Sequence, residues 1–302
     1  MKHFTVPSVR IFHSLGLSGA LFFILSVESR SMDMPNYTPA ANDVFSTWNA
    51  STGLLVRNTD PSFVGAGYDL TGIYWNGVWG VGSMGRRAWI SPVHGVSANH
   101  VGTFFQDTQI ADQGGNRYSV SSAGSATTQI YGDLSVGRIV GHISPDAGIA
   151  SYAVADFSTY TGREVLLLGH PGQSNSDMSL RVAKTSVLYG DSNSYYISTT
   201  RDGPEAVWLR GGDSGGPALL THVDPNGNKQ LLVIGTASGV SPNSEIDSGT
   251  NIFNNVAKST NIDLINTDMA TNGFALKLVG ESATSWTGTD SGDFGTATNW
   301  TA

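Results

Sequence analysis

The sequence predicts an all-β protein, either a sandwich or a pair of barrels. Short segments that alternate bulky with small or polar residues recur along the chain, and turn residues separate them. The chain has 37 glycines in 302 residues, well above the usual share of about 7%. Two Asn-Gly pairs, Asn76-Gly77 and Asn226-Gly227, lie between such segments and predict tight hairpins. Parallel βαβ units would need helical segments between the strands, and the sequence does not supply them.

The strand candidates share bulky β-forming residues and flanking turn residues. They are the Tyr68–Val81 hairpin, Arg87–Ile90, Thr103–Ile110, Tyr118–Ser121, Thr127–Tyr131, Ser135–Val140, Glu164–Leu168, Leu180–Leu188, Tyr195–Thr199, Ala206–Leu209, Ala218–Val223 and Gln230–Thr236. Helical periodicity is found in one stretch, where Ile262, Ile265 and Met269 share a face and Asn272-Gly273 follows. One short helix is therefore expected late in the chain.

Composition excludes several classes of function. The net charge is −8 and the 16 Lys and Arg form no basic cluster, so we expect no nucleic-acid partner. The absence of cysteine excludes disulfides, thiolate metal sites and cysteine nucleophiles. The seven histidines include no His-Glu-x-x-His pair, so we expect neither a catalytic metal nor another cofactor.

The first residues have the pattern of a secretory signal. Lys2, His3 and Arg10 precede an apolar run from Ile11 to Val27, and a polar stretch follows. Its continuous apolar part, Ala20 to Leu25, is shorter than the roughly 20 residues of a membrane span. We expect cleavage near Ser29 and a mature chain, without a membrane span, that is secreted or retained in the periplasm or at the cell surface.

The chemistry-bearing motif is Gly212-Asp213-Ser214-Gly215-Gly216-Pro217. Glycines around a serine let the backbone turn sharply and let a substrate carbonyl approach main-chain N–H groups. These residues predict a serine nucleophile beside an oxyanion site. The same letters satisfy Gly-x-Ser-x-Gly, but an α/β-hydrolase needs an acid and then a histidine after the serine. His222 is the only later histidine, and no Asp or Glu lies between it and Ser214.

The Gly-Asp-Ser-Gly-Gly-Pro motif resembles the nucleophile motif of chymotrypsin-like serine proteases letter for letter. The resemblance extends over about residues 63–268 and implies two six-stranded antiparallel β-barrels with the active site between them. It implies Ser214 as nucleophile and the N–H groups of Gly212 and Ser214 as the oxyanion hole. No cofactor is implied, and the substrate would be a protein or peptide.

A general base must precede Ser214, and the candidates are His94, His100, His142 and His170. The segment that ends Ser97-Ala98-Asn99-His100 resembles the family's small-small-His motif, so His100 is favoured. Asn99 departs from the family's usual small residue.

The resemblance also implies the acid. Asp133 begins Asp-Leu-Ser-Val-Gly-Arg-Ile, which is similar to the family's Asp strand, and the chain order is then His, Asp, Ser. Four other carboxylates stay open as alternatives, namely Asp107, Asp112, Asp146 and Asp156.

Two features depart from the family pattern. No Lys or Arg precedes an Ile/Val-Val-Gly-Gly segment, so we do not expect activation by a freed amino terminus that pairs with Asp213. A buried Asp213 would need another partner, as in a constitutively formed, cysteine-free enzyme of bacterial type. By the family's positional rule Trp208 forms the floor of the primary pocket, while Ser238 and Gly239 line one wall. Tryptic cleavage is therefore not implied, and Trp208 either narrows the pocket or belongs to the core.

The predicted organisation is a signal peptide (1–29), an N-terminal extension (30–62), a first barrel (63–155), a second barrel with the helix (156–272) and a tail (273–302). The tail is similar to strand repeats of bacterial autotransporters and surface proteins. The predicted function is a secreted serine endopeptidase. The alternative is a catalytically silent binding or adhesion module displayed at the cell surface. The oligomeric state is not predicted.

Overall fold

The computed structural model describes residues 32–49, 54–76, 86–101, 108–120, 126–139, 148–169, 180–201, 203, 205–240, 250–281, 285–286 and 300–301. The predicted signal segment lies outside these residues, as do His142 and His170. In the described part, no helix is long and apolar enough to cross a membrane.

The first large sheet has seven antiparallel strands in the order β7-β6-β3-β4-β5-β9-β8. These strands are β3 (Ile73–Asn76), β4 (Arg86–Trp89), β5 (His94–Ala98), β6 (Thr108–Ala111), β7 (Arg117–Val120), β8 (Ala126–Tyr131) and β9 (Leu134–Arg138). Both edges of β3 are paired, by β4 and by β6, so the predicted tight hairpin that continues β3 across Asn76-Gly77 is wrong.

The second sheet contains a closed barrel of six strands in the order β14-β11-β12-β13-β16-β15, which the pairing of β15 with β14 closes. Its strands are β11 (Glu164–Gly169), β12 (Arg181–Tyr189), β13 (Tyr196–Thr200), β14 (Pro217–Val223), β15 (Lys229–Val240) and β16 (Thr250–Asn255). Two more strands, β10 (Ala153–Asp156) and β17 (Leu278–Gly280), extend the sheet in parallel from β15. The core is packed with apolar residues such as those of β11, where Val165 to Leu168 are all buried.

In the described residues, two α-helices and two strand pairs lie outside the two large sheets. Near the start lie the helix α1 (Pro39–Asn42) and the hairpin of β1 (Phe45–Asn49) and β2 (Leu54–Arg57). The predicted late helix is α2 (Ser259–Ala270), which buries Ile262, Ile265 and Met269 as expected. In the tail, β18 (Ser285–Trp286) pairs with β19 (Trp300–Thr301).

The predicted hairpin at Asn226-Gly227 is confirmed, because β14 and β15 pair antiparallel on either side of it. Gly227 has φ of +83°, a conformation that glycine adopts without steric cost. The Asp224 carboxylate accepts hydrogen bonds from the N–H groups of Asn226 and Asn228, both at 2.8 Å, and so satisfies the turn.

The all-β, chymotrypsin-like double barrel predicted from the sequence is confirmed. The second barrel has the expected six strands, whereas the first sheet has seven, and no pairing joins its outer strands β7 and β8 within the described residues. The two units meet where β5 contacts β15 and β4 contacts β14. The loops that carry His100 and Ser214 follow β5 and precede β14, so they lie at this contact.

Candidate active site

His100 lies in a single 3₁₀ turn, Asn99–Val101, directly after β5. Its ring nitrogen Nδ1 is 2.6 Å from Asp133 Oδ2, and its backbone N–H donates to Asp133 Oδ1 at 2.7 Å. The His100 side chain is 47% exposed and that of Asp133 is 25% exposed. One carboxylate therefore fixes both the backbone and the ring of His100 while the ring remains accessible from solvent.

Asp133 is held in the turn between β8 and β9. Its carbonyl accepts the N–H of Asn99 at 2.5 Å, and its Oδ2 also accepts the hydroxyl of Ser238 at 2.6 Å. Partial burial raises the pKa of Asp133, but hydrogen bonds from Ser238 and His100, together with the charge of His100, outweigh it and leave the pKa lowered. Asp133 is therefore a carboxylate at neutral pH, the form that orients an imidazole.

The Ser214 turn is placed against β5 by its neighbour Gly215. Gly215 has φ of +78°, and a Cβ there would overlap Ser97 Oγ and lie 3.5 Å from the N atom of Ala98. Ser97 and Ala98 are the last residues of β5, just before Asn99 and His100. Only a glycine lets the serine turn approach this strand so closely.

A second set of hydrogen bonds ties the same turn to the strand of Ser238. The N–H of Gly215 donates to the carbonyl of Ala237 at 2.7 Å, and the N–H of Ala237 donates to the carbonyl of Gly216 at 2.7 Å. Ser238 follows Ala237 and donates to Asp133. His100, Asp133 and Ser238 are therefore joined by side-chain hydrogen bonds between the two barrels, and the turn that carries Ser214 is bonded to Ala237, the residue before Ser238.

The substrate side of this network is open. Gly212 has φ of +103°, and a Cβ on either Gly212 or Gly239 would meet no described atom within 4 Å. Ser214 itself is half-buried. The open surface lies beside the predicted oxyanion residue and the predicted wall of the primary pocket, where a peptide backbone has room to approach.

Trp208 is held at its place by hydrogen bonds on both its side chain and its backbone. Its indole Nε1 donates to the carbonyl of Arg201 at 2.6 Å, and its backbone exchanges two hydrogen bonds with Asp33. The Arg210 guanidinium pairs with Asp33 at 3.0 Å and lies 5.8 Å from the Trp208 ring. The charge of Arg210 thus has a partner within the chain.

The alternative residues lie in other surroundings. His94 is fully buried, with Nδ1 2.8 Å from Ser91 Oγ and its ring packed edge-on against Phe274. Asp112 accepts from Asn116 and Tyr118 within the turn between β6 and β7. Asp156 lies in β10, and Asp107 and Asp146 lie outside the described residues.

Sequence reasoning missed the buried cation beside the serine turn. Arg86, in β4, donates from Nη1 to the carbonyl of Gly212 at 3.3 Å, and its charge attracts that of Asp213. The Asp213 carboxylate also accepts the N–H of Arg210 at 2.9 Å, and both Asp213 and Met32 lie close to Gly169. The available signal was the pair Arg86-Arg87 at the entrance of a strand that is otherwise apolar.

Neither a protein-family model nor a curated protein matches the chain. Among solved structures, the chain is similar to neuropsin, a serine protease expressed in the limbic system of mouse brain, with a TM-score of 0.47 and 12% sequence identity. That similarity covers 66% of this chain and 94% of the neuropsin chain. The assignment of the fold rests on the strand order described above, and the resemblance of the tail to surface repeats has no support from these comparisons.

Proposed function

We propose that the chain is a secreted serine endopeptidase in which Ser214, His100 and Asp133 form the catalytic triad. The observation that carries the proposal is the network in which Asp133 binds His100 and Ser238 while Gly215, next to Ser214, packs against the strand that leads to His100. A carboxylate that fixes a histidine, together with a serine in a glycine-rich turn on the adjoining strand, supplies the groups that activate a hydroxyl for acyl transfer.

The proposed reaction proceeds through an acyl-enzyme. Ser214 Oγ bonds to the carbonyl carbon of the scissile peptide while His100 Nε2 accepts the hydroxyl proton. The N–H groups of Gly212 and Ser214 stabilise the oxyanion. The C–N bond then breaks as His100 returns the proton to the leaving amine, and a water molecule releases the acyl group by the same steps in reverse order.

The proposed substrate is a protein or peptide bound in extended form. Ser238 and Gly239, at the open end of β15, would pair with its backbone, and Trp208 would limit the primary pocket. The location we propose is outside the cytoplasm, on the strength of the N-terminal signal pattern.

Fluorophosphonate labelling of the purified chain tests the proposal. These probes phosphonylate an activated serine, so we expect one adduct on Ser214 by intact mass and peptide mapping. Ser214→Ala should abolish the adduct and lower turnover by about six orders of magnitude, the cost of removing a triad nucleophile in a related mechanism. A folded chain that takes up no label would contradict the proposal and favour the silent binding module.

A further inference from the structure

Two consecutive arginines of β4 are buried, and their side chains contact different parts of the molecule. Arg86 is 2% exposed and Arg87 is 3% exposed. A buried guanidinium is costly unless acceptors and opposite charges compensate for the water that it loses. Arg87 lies over the ring of Tyr74, at 5.7 Å, within the first sheet. Arg86 reaches across to the second barrel and donates to the carbonyl of Gly212.

The charge of Asp213, in the serine turn, also acts on Arg86. Asp213 is 1% exposed, and its negative charge stabilises the Arg86 cation. Burial lowers the pKa of Arg86 to about 10, with Asp213 opposing the shift, so the guanidinium is charged at neutral pH. Removal of one member of a buried ion pair leaves the other charge in a medium of low polarity.

The backbone of Arg86 touches the other flank of Ser214. Its carbonyl oxygen is 2.8 Å from the position of a Cβ on Gly215. The Arg86 side chain meanwhile donates to the carbonyl of Gly212. Gly212 has φ of +103°, and its N–H is one of the two that we assign to the oxyanion hole. Arg86 of the first barrel therefore binds the turn two residues before Ser214 and lies close to the residue that follows it.

We propose that Arg86 is a positioning residue that keeps the Gly212–Ser214 turn in its oxyanion-binding shape before substrate arrives. The inference rests on the proposed function. Donors that are already oriented need no reorganisation during the reaction, and this is the source of their effect on the rate. Arg86 in this role also answers the sequence expectation that a buried Asp213 would need a partner within the folded chain.

Arg86→Met in the full chain tests the inference, with Arg87→Met as the matched control. The control removes a neighbouring guanidinium that is buried to a similar extent and lies over the ring of Tyr74. We expect Arg86→Met to slow fluorophosphonate labelling of Ser214 by about 10²- to 10³-fold, as the loss of one oxyanion donor does. For p-nitrophenyl acetate we expect kcat to fall while KM stays nearly constant. Arg87→Met should label as fast as the unaltered chain.

Arg86→Lys provides a second variant, since it keeps the charge that compensates Asp213 but lacks the planar fork that reaches Gly212. We expect folded Arg86→Lys, checked by circular dichroism, to label more slowly than the unaltered chain and faster than Arg86→Met. Folded Arg86→Met or Arg86→Lys that labels at the unaltered rate would overturn the inference and leave the proposed function intact. An unaltered, folded chain that does not label would overturn both.

Discussion

Asp133 is the residue at which the hydrogen bonds of the candidate site converge. It accepts from the backbone and ring of His100, from the backbone of Asn99 and from the hydroxyl of Ser238. Ser238 comes from the second barrel and His100 from the first, so a single carboxylate joins residues of the candidate site that are far apart in the sequence. The position of His100 therefore depends on the hydroxyl of Ser238, which is not a member of the proposed triad.

The role of this hydroxyl can be measured with Ser238→Ala. A hydrogen bond to a charged group contributes about 1.5–3 kcal/mol, so we expect the labelling rate of Ser214 to fall by about 10- to 100-fold. Ser135→Ala is the control, because it removes another buried serine hydroxyl, one that donates to the neutral carbonyl of Ser97 at 3.3 Å. An unchanged rate in Ser238→Ala would show that Asp133 holds His100 without this donor.

At the scale of single residues, the sequence predicted which residue types the site requires. The motif around Ser214 and the strand-like context of Asp133 led to the prediction that these residues lie near one another. The sequence did not predict that Ser238 donates to Asp133, because that contact depends on how the two barrels pack. Arg86 was missed for a related reason. A charged residue in a strand reads as solvent-facing, and its burial is set by the partner barrel.

Among the elements, β5 lies close against the turn that carries Ser214. All five of its residues are buried, and β5 contacts β15 of the second barrel. Burial on both faces removes the alternation of apolar and polar residues by which strands are recognised, so this alternation did not predict β5, and only the family resemblance before His100 implied a strand there. The hairpin β14–β15 was predicted correctly because its turn chemistry is local.

Gly215→Ala tests the close approach of the nucleophile turn to β5. Gly227→Ala is a well-matched control, since Gly227 has a similar φ of +83° but open space around it. A non-glycine residue in this left-handed conformation costs about 1–2 kcal/mol, which is what we expect for Gly227→Ala in urea unfolding. Gly215→Ala adds a clash with Ser97 and Arg86, so we expect a clearly larger loss of stability and loss of Ser214 labelling. Equal effects would show that β5 and the turn can separate without cost.

The molecule as a whole is held together by late segments as well as by the barrel contact. The residues that follow α2 pack on the first sheet, where Phe274 meets the His94 ring at 5.5 Å and Asn272 Nδ2 lies 3.5 Å from His94 Nε2. Thr128 of β8 donates to Asp268 of α2 at 2.7 Å. The helix α2 and the residues that follow it thus pack against the first barrel. Helical periodicity alone predicts the helix but not this contact.

His94 makes this junction sensitive to acid. Burial lowers the pKa of His94 from its usual 6.5 to about 4, and the charge of Asp268 opposes the shift while that of Arg138 adds to it. Between these two values the unfolded chain binds more protons than the folded chain, so folding stability decreases as the pH falls from about 6.5 to about 4, by up to about 3 kcal/mol. We expect urea titrations of His94→Gln to show a smaller decrease over this range. Identical slopes would assign the acid sensitivity to other groups.

The antiparallel pairing of Asp33 with Trp208 has a practical consequence for expression of the protein. The segment from Met32 to Arg57 contacts both barrels. Asp33 binds Trp208 and Asn42 donates to the carbonyl of Val182, both in the second barrel. Arg57 donates to the carbonyl of Ala111 in the first barrel. An expression clone that began at Phe63, where the family resemblance starts, would lose the partner of Trp208 and expose the apolar surface that Met32, Val44 and Leu55 cover. The stretch predicted as an N-terminal extension thus packs on both barrels, and recombinant versions should retain it.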